Sequence, residues 1–108
     1  MFIRTLECDA KVGKREELAD KVTRDVLPIL RNQRGFANMI ALSDDAHPKH
    51  LVYLTFWKSK EEAQQYQRER YEQIVNLIKH LIVGPPTVES FTVEVPTNHE
   101  IVASKAAA

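Results

Sequence analysis

Leu51-Val52-Tyr53-Leu54-Thr55-Phe56-Trp57-Lys58-Ser59-Lys60-Glu61-Glu62-Ala63 is the stretch that decides how this chain folds. Its first seven residues are β-branched, aromatic or leucine, with no Gly or Pro, which is the composition of a strand. Ser59, followed three residues later by Glu62, is a capping box, so a helix opens at Lys60. Side chains alternate along a strand. Leu51, Tyr53, Thr55 and Trp57 therefore share one face, and Val52, Leu54 and Phe56 share the other. Both faces are largely apolar, which places the strand in mid-sheet with cover on both sides. Trp57, the only tryptophan, stands where strand gives way to helix.

Upstream, residues 2–8 read as a strand, with Phe2, Arg4, Leu6 and Cys8 on one face and Ile3, Thr5 and Glu7 on the other. Residues 14–31 carry the helical period, with Leu18, Val22, Val26, Ile29 and Leu30 at three- and four-residue steps. Pro28 lies inside that pattern and predicts a kink or a 3₁₀ turn. Gly35 closes the helix. Residues 36–42 form a second strand, expected to set Phe36, Asn38, Ile40 and Leu42 on one face against Ala37, Met39 and Ala41. The polar run at 43–50 joins it to the central strand as a hairpin.

Downstream, the helix opened by Ser59 runs to about residue 83 on a stripe of Ala63, Tyr66, Ile74, Leu77, Ile78 and Leu81. Residues 67–72 are too polar for that stripe and predict a bend or break. Gly84-Pro85-Pro86 stops the helix. Residues 87–95 form a fourth strand, Pro96 interrupts it, and 97–102 have the makings of a short fifth. One domain spans residues 1–103, with a C-terminal tail at 104–108.

The order strand, helix, strand, strand, helix, strand is the split βαβ pattern of the α+β, ferredoxin-like fold: an antiparallel sheet with both helices on one face. Two helices leave the other face bare. Val52, Leu54 and Phe56 in water would forgo roughly 1.5–3 kcal/mol each. The simplest resolution is a homodimer packed sheet against sheet, with the segment after Pro96 extending the partner's sheet edge.

At 108 residues the chain is one domain, long enough to bury about two-thirds of its unfolded surface. Fifteen basic and fifteen acidic residues balance to zero net charge, and no basic run exists, which argues against a nucleic-acid partner. No long apolar run points to secretion or a membrane. Cys8 is alone, which fits a reducing cytoplasm. With no charged activator beside it, Cys8 reads as a small buried hydrophobe before a nucleophile. His47, His50, Asp44 and Asp45 can be drawn as a metal site but read better as a solvated hairpin tip. His80 near a helix end suits the dipole better than base catalysis. No phosphate loop, dinucleotide fingerprint, nucleophile elbow or metal-binding helix motif is present, so neither cofactor nor metal is expected.

The strand ending in Trp57, the run Trp57-Lys58-Ser59-Lys60-Glu61-Glu62-Ala63, Gly35-Phe36 before the second strand, and the Gly84-Pro85-Pro86 stop together resemble the antibiotic biosynthesis monooxygenase family of dimeric α+β barrels. The resemblance covers about residues 2–101. It implies a dimer of ferredoxin-like domains and, in one branch, oxygenation of polycyclic phenols without a cofactor. The quinone-forming oxygenases carry an Asn four residues before the strand's Trp, where this chain has Tyr53. The haem-degrading branch uses a first-strand Asn, a Trp, and a His ten residues after it. Only Trp57 matches; Leu6 and Gln67 stand at the other two positions, so the resemblance disfavours haem degradation.

A pocket between helices and sheet would then hold a small aromatic or quinol-like ligand. Trp57, Tyr53 and Tyr66 are the candidate catalytic side chains, for stacking and proton handling. Asn38, Arg4, Thr55 and Leu6 are the candidates for binding. The competing expectation is a non-catalytic dimer that binds a hydrophobic molecule, with Trp57 and Tyr53 simply packed in the core.

Overall fold

A computed structural model describes residues 1–94. The expectations for Val95, the fifth strand, the exchange after Pro96 and the tail lie outside the described residues. The sheet consists of β1 (Phe2–Asp9), β2 (Phe36–Ser43), β3 (His50–Trp57) and β4 (Thr87–Thr92). Its order is β2-β3-β1-β4, with every neighbour antiparallel. This is the expected split βαβ topology, and β3 lies inside the sheet, as its two apolar faces require.

The first helical segment has three parts: α1 (Arg15–Lys21), a π turn (Val22–Val26) and α2 (Leu27–Arg31). The sequence predicted a kink or a 3₁₀ turn here; the structure has a wider turn instead. Pro28 has no N–H for the Arg24 carbonyl, and its ring would crowd that oxygen. One extra residue in the preceding turn relieves the conflict, and Leu27 N–H donates to the Val22 carbonyl. Val22, Val26 and Leu30 remain on the buried face.

The second segment is α3 (Lys60–Glu69), α4 (Tyr71–Ile78) and a 3₁₀ turn (Lys79–Leu81). Ser59 caps α3: its Oγ accepts from Glu62 N–H at 3.2 Å while its hydroxyl donates to Glu62 Oε1 at 3.0 Å. The expected break falls at Arg70, whose φ of −130° leaves the helical region. Arg70 N–H still reaches the Tyr66 carbonyl and Arg70 O still accepts from Ile74, so α4 is re-aimed and not detached.

Gly35 joins the two halves. Its φ is +82°, and a Cβ there would sit 2.7 Å from Glu62 Cβ. The bare backbone lets Gly35 O accept from Lys58 N–H at 2.8 Å, which pins the start of β2 to the β3–α3 corner.

One expectation is corrected on β2. Phe36 pairs with Trp57, but Asn38 pairs with Phe56, so Ala37 is the extra residue of a β-bulge. The bulge reverses the alternation beyond it. Met39, Ala41 and Ser43 face the helices, while Asn38, Ile40 and Leu42 face away. Asn38 therefore does not share a face with Phe36.

The helix-covered face forms the core, where Leu18, Trp57 and Ala63 have no exposed surface. On the opposite face Phe56 is already 8% exposed, but Ile40, Leu42 and Phe91 are 40%, 46% and 50% exposed. Among the described residues no helix is long and apolar enough to cross a membrane.

Candidate functional site

Antiparallel pairing sets Arg4 opposite Thr55 and Leu6 opposite Tyr53, all on the helix-covered face. Arg4 is the odd member. It lies in mid-sheet and is only 9% exposed. Its Nη2 donates to Gln67 Oε1 on α3. Its guanidinium carbon lies 5.7 Å from the Tyr66 ring centre and 5.5 Å from that of Tyr71, within cation–π range of both. The break at Arg70 makes this possible, because it separates the two tyrosines and turns them onto the same cation.

The stack continues behind Tyr66. Trp57 lies 5.0 Å from it at an interplanar angle of 29°, and Phe36 meets Trp57 edge-on at 5.6 Å. The Trp57 indole N–H donates to Thr55 Oγ1 at 2.9 Å, and that hydroxyl donates to the Arg4 carbonyl at 3.4 Å. The Thr55 hydroxyl is thus committed to holding β1, β3 and the indole in place.

In front of the stack is a cavity of about 40 Å³ between sheet and helices. Arg4, Leu6, Tyr53, Thr55, Tyr66 and Tyr71 contribute to its walls, with Val22, Val26 and Leu30 across from them. A groove of about 190 Å³ lies beside it between α1 and β2 and shares Val22, Met39 and Tyr53 with it. The inner space is well below the ~150 Å³ at which an apolar cavity takes up benzene.

The cavity's titratable side chains are Arg4, Tyr53, Tyr66 and Tyr71. Burial pushes Tyr53 up to about 12 and moves Tyr66 and Tyr71 upward, against the pull of the Arg4 charge on the last two. Burial lowers Arg4 from its ordinary value, and the two tyrosines oppose that shift. Nothing in these walls exchanges a proton near neutrality, so the site has a fixed cation and no general base.

Of the residues singled out from sequence, Arg4, Leu6, Tyr53, Thr55 and Tyr66 converge on this cavity. Trp57 does not line it: the indole is wholly buried behind Tyr66. Asn38 does not line it either, because the bulge turns that position to the other face, where its side chain accepts from Met39 N–H at 2.8 Å. Sequence reading missed Tyr71 and Met39 as wall residues and gave Gln67 no role. The signal for Tyr71 was present, since it stands five residues after Tyr66, inside the polar run predicted to break the helix.

The histidines take other places. Asp44 Oδ1 accepts from the N–H groups of Ala46 and His47, which shapes the hairpin tip. His50 lies between Asp9, 2.8 Å from Nδ1, and Glu7, 3.0 Å from Nε2. Among the described residues no group of three or more His, Cys, Asp or Glu side chains is arranged to hold a metal. Cys8 is buried, and burial raises its thiol to about 11, with Asp9 adding to the effect.

The sequence profile described as antibiotic biosynthesis monooxygenase matches residues 1–73. The chain belongs to the antibiotic biosynthesis monooxygenase family. Membership is consistent with a monooxygenase, and solved structures carry the same fold. SnoaB, a cofactor-independent oxygenase from Streptomyces nogalater, is 12% identical with a TM-score of 0.72, over 90% of this chain and 97% of that one. The monooxygenase from the ActVA-Orf6 gene of Streptomyces coelicolor, solved with nanaomycin D, is 16% identical with a TM-score of 0.73, over 87% and 88%. A Nitrosomonas europaea protein of unknown function is 18% identical with a TM-score of 0.69, over 90% and 95%. At these identities the likeness speaks to the fold. No curated protein sequence matches the chain. Within the antibiotic biosynthesis monooxygenase fold, this member puts a buried arginine and a pair of tyrosines in the walls of its helix–sheet cavity.

Proposed function

We propose that this protein is a cofactor-independent monooxygenase of the antibiotic biosynthesis monooxygenase type, acting on a small aromatic or quinol-like substrate. The observation that carries the reading is Arg4, a buried cation held by Tyr66, Tyr71 and Gln67 in the wall of a largely apolar cavity. Apolar walls with one polar focus suit a flat ring bearing a single oxygen. Such a substrate brings its own reducing electrons. Its anion gives one electron to O₂, and the radical pair closes a carbon–oxygen bond. Loss of water then leaves a carbonyl, with one oxygen atom in the product and the other in water. The protein's share is to hold the ring, favour the charged oxygen and keep bulk water out.

The family reading also makes the molecule a homodimer through the sheet face of Val52, Leu54 and Phe56 and the segment after Pro96. Ile40, Leu42 and Phe91, exposed on that same face, support it. A lone buried Cys8 accords with the cytoplasm as its compartment.

The second reading, a non-catalytic dimer that binds a hydrophobic molecule, is favoured by one observation: the inner cavity of about 40 Å³ is smaller than an aromatic ring. Oxygen uptake separates the two. Incubation with anthrone-like and quinol compounds should consume one O₂ per carbonyl formed, faster than buffer alone. Binding without uptake across the panel would leave the second reading standing.

A further inference from the structure

We infer that self-association of this protein is proton-linked: two copies meet over a sheet face whose polar end holds His50 between Glu7 and Asp9, and they hold together with the imidazole charged and loosen once its proton leaves. The inference rests on the homodimer of the proposed function and adds to it a dependence on pH.

The register of the sheet places the cluster. Asp9 pairs with His50 and Glu7 with Val52, and alternation puts all four on the face away from the helices. Ile3, Phe56 and Phe91 occupy the other end of that face, and Glu89 pairs with Thr5 between the two ends. Glu7, Asp9 and Glu89 are thus its acidic groups, and among the described strand residues no Lys or Arg shares it. Of those residues, His50 alone can bring a positive charge to the face.

The geometry at His50 calls for that charge. Its Nδ1 lies 2.8 Å from Asp9 Oδ1, and its Nε2 lies 3.0 Å from Glu7 Oε1. A neutral imidazole has one N–H, so one of the two contacts would set lone pair against lone pair. Only the imidazolium donates to both. The carboxylates raise the imidazole's pKa, Asp9 more than Glu7. The hairpin brings Asp44, His47 and Lys49 to the surface cleft that His50 and Asp9 line, and Ala10 and Val83 complete it without charge.

In a lone protomer water replaces a missing donor, because His50, Glu7 and Asp9 are all partly exposed. An exposed ion pair of this kind contributes little. A second copy over the face removes that water and brings two acidic surfaces together, so carboxylates without a protonated partner become costly. Association therefore raises the His50 pKa further, once in each protomer. The dimer is tightest below the lone protomer's value and weakens as pH rises from there to the value in the dimer.

Sedimentation equilibrium of the full chain at about pH 6 and about pH 9, at constant ionic strength and with circular dichroism to follow the fold, tests this. The dissociation constant of the parent should rise about tenfold or more, which two histidines supply with about half a pKa unit each. His47→Gln should keep the rise, and His50→Gln should abolish it. Should the His50 variant not fold, or the parent dimer be too tight to dissociate, an NMR titration of the imidazole decides. The His50 midpoint should lie about half a unit or more higher in the parent than in Phe91→Glu, whose new charge blocks association from the far end of the face. Equal dissociation constants at the two pH values, a rise that survives in His50→Gln, or equal midpoints would overturn the inference and leave the dimer standing. A parent that is monomeric at both pH values would overturn the inference and the dimer together.

Discussion

Trp57 lies ring on ring against Tyr66, 5.0 Å apart, and reaches the cavity only through it. A tryptophan in that position supports a wall without being one. Trp57→Phe removes the hydrogen bond to Thr55 and part of the stack. It should cost on the order of 1 kcal/mol or more of stability, as large-to-small core changes do, while affinity for anthrone-like and quinol compounds changes little. Thermal unfolding reads the first, with about 4–8 °C expected per kcal/mol in a domain near this size. A large affinity loss at unchanged melting temperature would put the indole in the site after all.

Gly35→Ala should be among the more damaging small substitutions. The left-handed backbone at φ +82° disfavours any side chain, and the new methyl would press on Glu62, the residue that completes the α3 cap. Strain of that kind costs about 1–3 kcal/mol. Urea denaturation should show the lower midpoint, with the slope unchanged.

His50 makes stability depend on pH. Asp9 first and Glu7 second raise its pKa above the ordinary value. A histidine raised in the folded state binds its proton more tightly there than in the unfolded chain, whose value is about 6.5. The stabilisation is therefore full below about pH 6.5 and is lost as pH rises through the folded-state value. Urea midpoints should decline across that window in the parent protein and stay flatter in His50→Gln.

The exposed side of the sheet offers a test of self-association that spares the fold. Phe56 is 8% exposed within its own chain, so a charge there would damage the protomer itself. Leu42 and Phe91 are 46% and 50% exposed, so Leu42→Glu and Phe91→Glu should leave the circular dichroism intact. Sedimentation should show dimers in the parent and monomers in the variants. A parent that sediments as a monomer would remove the dimer from the proposal.

The fold was legible wherever a short-range rule governed it. Ser59 and Glu62 announced a cap, the polar run around Arg70 announced a break, and β3 announced its place by having no polar face. The candidate site was legible only in part. Alternation and pairing brought Arg4, Tyr53 and Thr55 to one face, but the depth of Arg4 depends on Gln67, Tyr66 and Tyr71, more than sixty residues away. No local pattern encodes that convergence. Asn38 was misplaced because a bulge at an alanine leaves no mark in the composition; a glycine there would have warned of it. The π turn at 22–26 was hidden for a similar reason: Pro28 says that the helix must yield, but not which way.

The bulge at Ala37 makes β2 a crossing point between the protein's inside and outside. Past it, Met39 and Ala41 point to the helix side and line the groove beside α1, while Ile40 and Leu42 alternate to the other side of the sheet, Leu42 still reaching the rim of that groove. Shortening the strand by that single residue would trade the two sets. The groove would be lined with the residues meant for another surface, and that surface with those meant for the groove. Insertions and deletions before Met39 thus change the lining of the groove and the outer face of the molecule in one stroke, whereas substitutions at Met39 or Ile40 change one side alone.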